Sequence, residues 1–146
     1  KPIAANGGTI QINFYSGFLD SNYMQAKKIF TERHRNEYDS IVASGKRPGA
    51  AYEYIAQKYP AEAEAIRAPF ELVIQHIDYV VKLVGVNHVG IGSDYDGIEA
   101  PPQQLQDVTT YPKITRALIP KGYSKRDIRK ILGENFLRVL RANEKR

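Results

Sequence analysis

The sequence predicts an α/β fold in which two strands run parallel. Two short segments rich in β-branched and aromatic side chains, 9–14 and 86–92, each end in a polar loop. A strongly amphipathic helix over 69–84 leads almost directly into the second segment. A strand, a helical crossover and a second strand form a βαβ unit, and the strands of such a unit are parallel.

The first strand is predicted over 9–14 because apolar and polar residues alternate there. Ile10, Ile12 and Phe14 fall on one face, as in a half-buried strand. The residues before it, 1–6, have the pattern of a helix end followed by Gly7 and Gly8 as its terminator. A chain that begins within a helix is expected to have lost what preceded it.

Residues 21–68 are predicted to form a helical excursion from the sheet. Ser21 is placed to cap a long polar helix that runs to about Ser44, and Gly45 is placed to end it. Two shorter helices, around 50–58 and 61–67, are expected on either side of Pro60.

The strongest predicted helix spans 69–84, with Pro69 at its start and Gly85 at its end. Its apolar side chains recur at helical spacing and form one continuous stripe: Phe70, Val73, Ile74, Ile77, Val80, Val81 and Val84. Such a stripe requires a large apolar partner, which a neighbouring sheet provides.

The second strand, predicted over 86–92, leads into Asp94 and Asp96. In parallel α/β folds the ligand binds beyond the carboxyl ends of the strands, so Asp94 is a candidate catalytic or binding residue. The alternative is that both carboxylates only cap a turn by accepting backbone N–H bonds.

A proline-marked loop to about Tyr111 is followed by predicted helices over 112–119, 124–132 and 135–143. Ser124 and Asp127 have the spacing of a capping box. Apolar residues at helical spacing predict a buried face for this region: Ile114, Leu118, Ile128, Ile131, Leu132, Leu137 and Leu140.

The net charge of +5 is uneven, because residues 112–146 carry eleven Lys or Arg and three Asp or Glu. We interpret this charge as the solvated side of amphipathic helices. A nucleic-acid-binding surface that uses Lys125, Arg126 and Arg129 is the alternative, but too few aromatic residues accompany them to stack bases.

Composition excludes several other classes of protein. The 146 residues, 42% hydrophobic and 25% charged, can form one modest core. The absence of cysteine excludes disulfides and thiolate metal sites. The sequence shows no signal peptide and no membrane span, which leaves the compartment unknown. Two strands are too few for a stable parallel sheet covered on both faces, so the chain is expected to be an incomplete domain.

Four stretches together resemble the membrane (renal) dipeptidase family. They are Asn6-Gly7-Gly8-Thr9-Ile10-Gln11-Ile12-Asn13-Phe14-Tyr15, Gln75-His76-Ile77-Asp78-Tyr79-Val80-Val81, His88-Val89-Gly90-Ile91-Gly92-Ser93-Asp94-Tyr95-Asp96-Gly97 and Lys130-Ile131-Leu132-Gly133-Glu134-Asn135-Phe136-Leu137-Arg138-Val139-Leu140. The resemblance runs through nearly the whole chain in order and is weakest over 24–68. The combination of the Gly-Ser-Asp-aromatic-Asp-Gly and Gly-x-Asn-Phe-x-Arg-Val patterns is fairly specific.

The resemblance implies that residues 1–146 are the C-terminal segment of one catalytic (β/α)8 TIM-like metallohydrolase barrel. Its last two strands, seven and eight, would be 9–14 and 86–92. It implies a dipeptidase with two zinc ions, which hydrolyses dipeptides by metal-activated water. Asp94 matches the acidic residue of strand eight, which contacts the bridging water or the amino end of the substrate. Tyr15 matches an aromatic at the mouth of the site, and Phe18 stands where some relatives have tyrosine.

The family's metal ligands and its substrate-binding arginine lie upstream of this chain, so no metal ligand is expected here and the segment alone is expected to be inactive. His34, His76 and His88 are assigned structural roles, since no pair has the spacing of a zinc site. The alternative function is a truncated, non-catalytic binding or interaction module that exposes apolar surface and associates with itself. A homodimer therefore stays open, and a dipeptide is the expected partner.

Overall fold

The computed structural model describes residues 1–144, which form a small parallel sheet surrounded by helices. The two strands are β1 (Ile10–Asn13) and β2 (Val89–Ser93). The helices are α1 (Pro2–Ala5), α2 (Ser16–Leu19), α3 (Tyr23–Arg33), α4 (Arg35–Ala43), α5 (Pro48–Lys58), α6 (Pro60–Ala65), α7 (Phe70–Val84), α8 (Pro112–Leu118), α9 (Lys125–Arg129) and α10 (Asn135–Glu144).

The two strands pair in parallel, which confirms the predicted arrangement. Ile10 lies opposite Val89 and Asn13 lies opposite Ser93, with an irregularity in register after Ile12. Because the strands are parallel, both carboxyl ends lie at the same edge of the sheet. The residues that follow β1 and β2 are therefore neighbours, although about 80 residues of sequence separate them.

The predicted start of the second strand is wrong by three residues. Residues 86–88 form a 3₁₀ turn, and β2 begins at Val89. The Asn135 side-chain amide donates to the carbonyls of Val86 and Val89, at 2.7 and 2.8 Å, and Arg138 donates to the carbonyl of Asn87 at 2.8 Å. Asn135 and Arg138 thus bind backbone carbonyls before β2, and a longer strand would offer these carbonyls to a neighbouring strand.

The single long helix predicted from Ser21 to Ser44 is also wrong. The backbone leaves helical geometry at His34 (φ −107°, ψ 25°), which separates α3 from α4. The His34 ring stacks on Tyr59 with a centroid distance of 3.8 Å, so the break is held by a tertiary contact. Ser21 does not cap the helix either, because α3 begins at Tyr23 with Asn22 as its N-cap residue, and no side chain makes a capping hydrogen bond there.

The helical excursion has a small core of its own. Its buried side chains are Phe30, Tyr52, Ile55, Ala56 and Ala63, and they form a cluster separate from the main core. Gly45 follows α4 with a φ of +88°, as expected of a helix terminator, and Pro60 begins α6.

Helix α7 covers the sheet with the predicted apolar stripe. Phe70, Val73, Ile74 and Ile77 are buried, and Gly85 ends the helix with a φ of +89°. Pro69 is the residue before the first helical position rather than within it. The main core joins this stripe to both strands and to the C-terminal helices through Ile12, Phe14, Val89, Leu105, Ile114, Leu118, Ile128 and Ile131.

The C-terminal helices begin as predicted but bury fewer side chains than predicted. The capping box is present, with the Ser124 hydroxyl accepting the Asp127 N–H at 3.2 Å. Residues 130–134 form a π-turn between α9 and α10. The helical spacing predicts Leu132, Leu137 and Leu140 in the core, yet they are 40–42% exposed, because no element among residues 1–144 covers that side of the segment. Lys145 and Arg146, the end of the basic C-terminal region, lie outside the described part of the chain.

Candidate active site

The Asp94 carboxylate lies where the backbone turns sharply after β2. Asp94 adopts the left-handed conformation (φ +70°), and its carbonyl accepts the Gly97 N–H at 2.9 Å. A Cβ at position 97 would lie 3.0 Å from Asp94 Cγ and closer still to Oδ1. Glycine is therefore required at position 97 if the carboxylate is to keep this position.

The Asp94 side chain makes no capping hydrogen bond to the turn, so the alternative that this carboxylate only caps a turn is wrong. Its Oδ2 instead accepts the Asn13 side-chain amide at 2.9 Å, from the end of the neighbouring strand. The Asn13 oxygen accepts the Tyr15 N–H at 2.7 Å, which fixes the amide orientation. Within residues 1–144 no donor reaches Asp94 Oδ1, and the residue is exposed, so this oxygen can bind a ligand.

Tyr15 lies at the same edge, directly after β1. Its hydroxyl is 3.4 Å from Glu99 Oε1 and 3.8 Å from Met24 Sδ. Burial, together with the negative charge of Glu99, raises the pKa of Tyr15, so the phenol stays protonated at neutral pH. Phe18 packs edge-to-face on the Tyr15 ring at 5.1 Å and is 68% exposed.

Glu99 and Lys27 are two charged residues at this edge that the sequence does not indicate. They form an ion pair whose side chains are 23% and 21% exposed. Burial alone raises the pKa of Glu99, but the Lys27 ammonium outweighs it and holds the pKa below its usual value. The two residues are 72 positions apart in a polar helix and a loop, so no spacing could have paired them.

Two depressions open beside the Asp94 turn. One, of about 490 Å³, is lined by Ser93, Asp94, Tyr95, Asp96, Asp107 and Val108. The other, of about 290 Å³, includes Asp96, Glu99, Arg47 and Glu53. Asp96 lines both, and these volumes are in or near the range of small-ligand sites.

The residues of this chain do not fit a metal centre. Across residues 1–144, no three His, Asp or Glu side chains are grouped as a metal ion requires. His34 packs against Tyr59 and lies 3.4 Å from Glu62, and His88 Nδ1 lies 2.8 Å from the Gly8 carbonyl oxygen. His88 also precedes β2, at the end of the strand opposite to Asp94.

The basic C-terminal residues remain largely exposed. Lys125, Arg126 and Arg129 are exposed, and Arg129 pairs with Glu134 at 3.0 Å. The Tyr123 hydroxyl donates to Asp78 at 2.7 Å, which holds this ring against α7. None of the helices within the described range is long and apolar enough to cross a membrane.

Asp94, Asn13 and Tyr15 thus lie together at the carboxyl edge of the two parallel strands, the edge at which parallel α/β folds bind their ligands. The model of the membrane dipeptidase family, peptidase family M19, matches residues 1–146. The chain belongs to this family, which confirms the resemblance seen in the sequence.

Curated relatives are fungal dipeptidases. The chain is 34% identical over 110 residues to dipeptidase verJ of Clonostachys rogersoniana, which covers 75% of this chain and 28% of the relative. It is also 34% identical over 120 residues to dipeptidase ataJ of Aspergillus terreus, covering 82% and 29%. The chain thus spans less than a third of the length of these relatives.

Solved structures of a bacterial probable dipeptidase and a bacterial metallopeptidase resemble this chain. The probable dipeptidase PvdM of Pseudomonas aeruginosa matches with a TM-score of 0.59 and 29% identity, over 93% of this chain and 37% of that one. A metallopeptidase of Rhodobacter sphaeroides, solved with a phosphinate mimic of the dipeptide L-Ala-D-Ala, matches with a TM-score of 0.57 and 27% identity, over 92% and 27%.

Proposed function

We propose that this chain is the C-terminal part of the catalytic (β/α)8 barrel of a zinc dipeptidase, with β1 and β2 as its last two strands. Membership of the family and the likeness to dipeptidase structures support this assignment. The sheet supports it as well, because the two parallel strands seen among residues 1–144 are too few for a parallel sheet covered on both faces.

Asp94 is the residue that this chain contributes to catalysis, and Tyr15 and Asp94 bind substrate. The free Oδ1 of Asp94 carries this proposal, because it is an exposed carboxylate oxygen held in place by Asn13 and by the turn at Gly97. A dipeptide presents an α-ammonium group, which such an oxygen binds by a charge-assisted hydrogen bond. The same oxygen can instead orient the attacking water.

The family implies two zinc ions, and no group of three His, Asp or Glu side chains among residues 1–144 is arranged to hold one. We therefore assign the ligands to other parts of the complete protein, and residues 1–146 alone are inactive without them. Two roles are derived for this chain's own residues: Asp94 binds the amino end of the substrate or orients the attacking water, and Tyr15 lines the mouth of the site.

The test is Asp94→Asn in the complete protein, with hydrolysis of L-Ala-D-Ala as the assay. The amide keeps the size of the side chain but removes its charge, so turnover should fall about tenfold or more while the far-UV spectrum and melting temperature are preserved. Asp39→Asn, an exposed carboxylate on α4, is the matched control and should retain turnover. Wild-type turnover in Asp94→Asn would contradict the assignment.

One observation favours a second candidate, a non-catalytic interaction module. Phe136, Leu137 and Leu140 of α10 are 51%, 42% and 41% exposed, which leaves an apolar surface for a partner. This module would self-associate in sedimentation velocity and show no metal-dependent hydrolysis of L-Ala-D-Ala. Metal-dependent hydrolysis by the complete protein would exclude it.

A further inference from the structure

The ion pair between Lys27 and Glu99 connects the helical excursion to the loop that follows Asp94. Lys27 belongs to α3, and Glu99 lies five residues beyond Asp94. Both side chains are half-buried, in contrast to the exposed Arg35 pairs on α4. A pair that is shielded from water holds its geometry more firmly than an exposed one.

The Glu99 carboxylate has a second partner, and that partner is Tyr15. The same Oε1 atom that binds Lys27 lies 3.4 Å from the Tyr15 hydroxyl. The backbone brings the segments together as well, because the Ser16 N–H donates to the Ala100 carbonyl at 3.0 Å. Glu99 therefore links the residues after β1 to the residues after β2.

Lys27 is itself held by aromatic side chains. Its ammonium lies 4.4 Å from the centroid of the Tyr52 ring, and the Tyr23 hydroxyl donates to the Tyr52 hydroxyl at 3.2 Å. Tyr23 packs edge-to-face on Tyr15 at 5.7 Å. Lys27, Glu99, Tyr23 and Tyr52 thus form one continuous set of contacts around the Tyr15 side chain, and all of them are buried or half-buried.

We infer that Lys27 and Glu99 are positioning residues, which hold the Tyr15 side chain in its place at the mouth of the substrate site. This inference rests on the proposed dipeptidase function. Neither residue needs to touch the substrate, since Glu99 binds the Tyr15 hydroxyl and Lys27 orients Glu99. The excursion 21–68 then has a role in substrate binding, because it supplies Lys27 and the aromatic residues around it.

The test is a double-mutant cycle between Glu99→Ala and Tyr15→Phe in the complete protein, with L-Ala-D-Ala as substrate. Each single variant removes the hydrogen bond between the hydroxyl of Tyr15 and the Glu99 carboxylate, which frees the ring at position 15 to move. Each should therefore raise KM about fivefold or more while kcat stays within about twofold. The double variant should raise KM no further than either single variant, because both remove one interaction. Glu99→Gln keeps an acceptor oxygen and should show a smaller rise.

Lys27→Met should raise KM as Glu99→Ala does, and Lys58→Met is its matched control. Lys58 also pairs with a glutamate, Glu37, and lies 5.5 Å from the centroid of a tyrosine ring, Tyr59. It belongs to α5 and makes no contact with Tyr15 or Glu99 in the described part of the chain. KM should stay at the wild-type value in Lys58→Met.

Two results would overturn the inference: a KM within about twofold of wild type in Glu99→Ala, or single-variant effects that multiply in the double variant. If Glu99→Ala does not fold, Glu99→Gln and Lys27→Met take its place, and a wild-type KM in both variants would overturn the inference. Failure of the inference is separate from failure of the proposed function. Loss of turnover in Asp94→Asn with an unchanged KM in Glu99→Ala would overturn only the positioning role.

Discussion

The Asn13 side-chain amide donates a hydrogen bond of 2.9 Å to the Asp94 carboxylate across 81 positions of sequence. Each residue lies where a strand ends, and the parallel pairing of β1 with β2 brings the two ends together. The Asn13 amide is uncharged and binds only one of the two carboxylate oxygens, so the other oxygen stays available to a cationic group. The relationship explains how an exposed carboxylate is held in one orientation.

Replacement of Asn13 by aspartate should impair the site through charge rather than shape. Asn13→Asp keeps an acceptor for the Tyr15 N–H but places a second carboxylate beside Asp94. The new carboxylate removes the donor to Asp94 Oδ2 and repels the Asp94 carboxylate, which therefore leaves its present orientation. Hydrolysis of L-Ala-D-Ala by the complete protein should fall about tenfold in kcat/KM at neutral pH.

The loss in Asn13→Asp should be smaller at high ionic strength, because salt screens the repulsion between two exposed carboxylates. Asn87→Asp makes the same exchange at an exposed position before β2 and is the control. A kcat/KM in Asn13→Asp that is low but independent of salt concentration would contradict the electrostatic explanation.

Substitution of Gly97 by alanine should move Asp94 with little effect on stability. The new methyl group would overlap the Asp94 carboxylate, the mobile end of a side chain, so the carboxylate shifts and the fold does not. We expect kcat/KM to fall about tenfold and the free energy of unfolding to change by less than about 1 kcal/mol. Steady-state kinetics and urea denaturation measure the two effects.

Gly49→Ala is the comparison for this variant, since nothing lies within 4 Å of a Cβ at that helical position. It should leave kcat/KM unchanged and stabilise slightly. Equal activity in the two alanine variants would show that the position of the Asp94 carboxylate does not matter for turnover.

The buried side chain of Asn135 should be essential to stability because it joins α10 to the start of β2. It is 3% exposed and donates to two carbonyls, those of Val86 and Val89. Asn135→Asp would turn an oxygen toward carbonyls that need a donor, and should lower the free energy of unfolding by about 1–3 kcal/mol or more. Urea denaturation of the complete protein measures this loss.

Asn143→Asp provides the matched comparison on the same helix. Asn143 donates one exposed hydrogen bond to the Val139 carbonyl at 2.8 Å, where water can replace it. Asn143→Asp should lower the free energy of unfolding by no more than about 1 kcal/mol. Equal losses in the two variants would be inconsistent with a special role for Asn135.

The stability of the fold should decrease at low pH as Asp78 takes up a proton. Burial alone raises the pKa of this carboxyl, but donors from Lys121 and Tyr123, each at 2.7 Å, hold it below its ordinary value of 3.8. The unfolded state therefore binds the proton more readily. The stabilisation is complete above the unfolded-state pKa and is lost as the pH falls through the lower, folded-state pKa.

Urea midpoints measured from about pH 6 to about pH 2 test this pH dependence. Asp78→Asn should flatten the acid limb of the curve, and Tyr123→Phe should flatten it less because Lys121 remains. An unchanged acid limb in Asp78→Asn would assign the acid sensitivity to other carboxyls.

The correctly predicted features are those that a few consecutive residues encode. The apolar stripe of α7, its end at Gly85 and the capping box at Ser124 depend on helical period, on a positive φ and on bonds within one turn. The placement of Asp94 directly after a strand has the same origin. The family resemblance likewise depends on short contiguous stretches of the sequence.

The remaining features arise from contacts between distant segments. The break at His34 depends on Tyr59, the late start of β2 depends on Asn135, and the partners of Asp94 and Glu99 lie 81 and 72 residues away. A side chain's hydrogen-bond partner is set by the folded path of the chain, which residue order and periodicity do not contain. The sequence therefore identifies Asp94 as a candidate residue, whereas the tertiary structure determines the position of its carboxylate through Asn13 and Gly97.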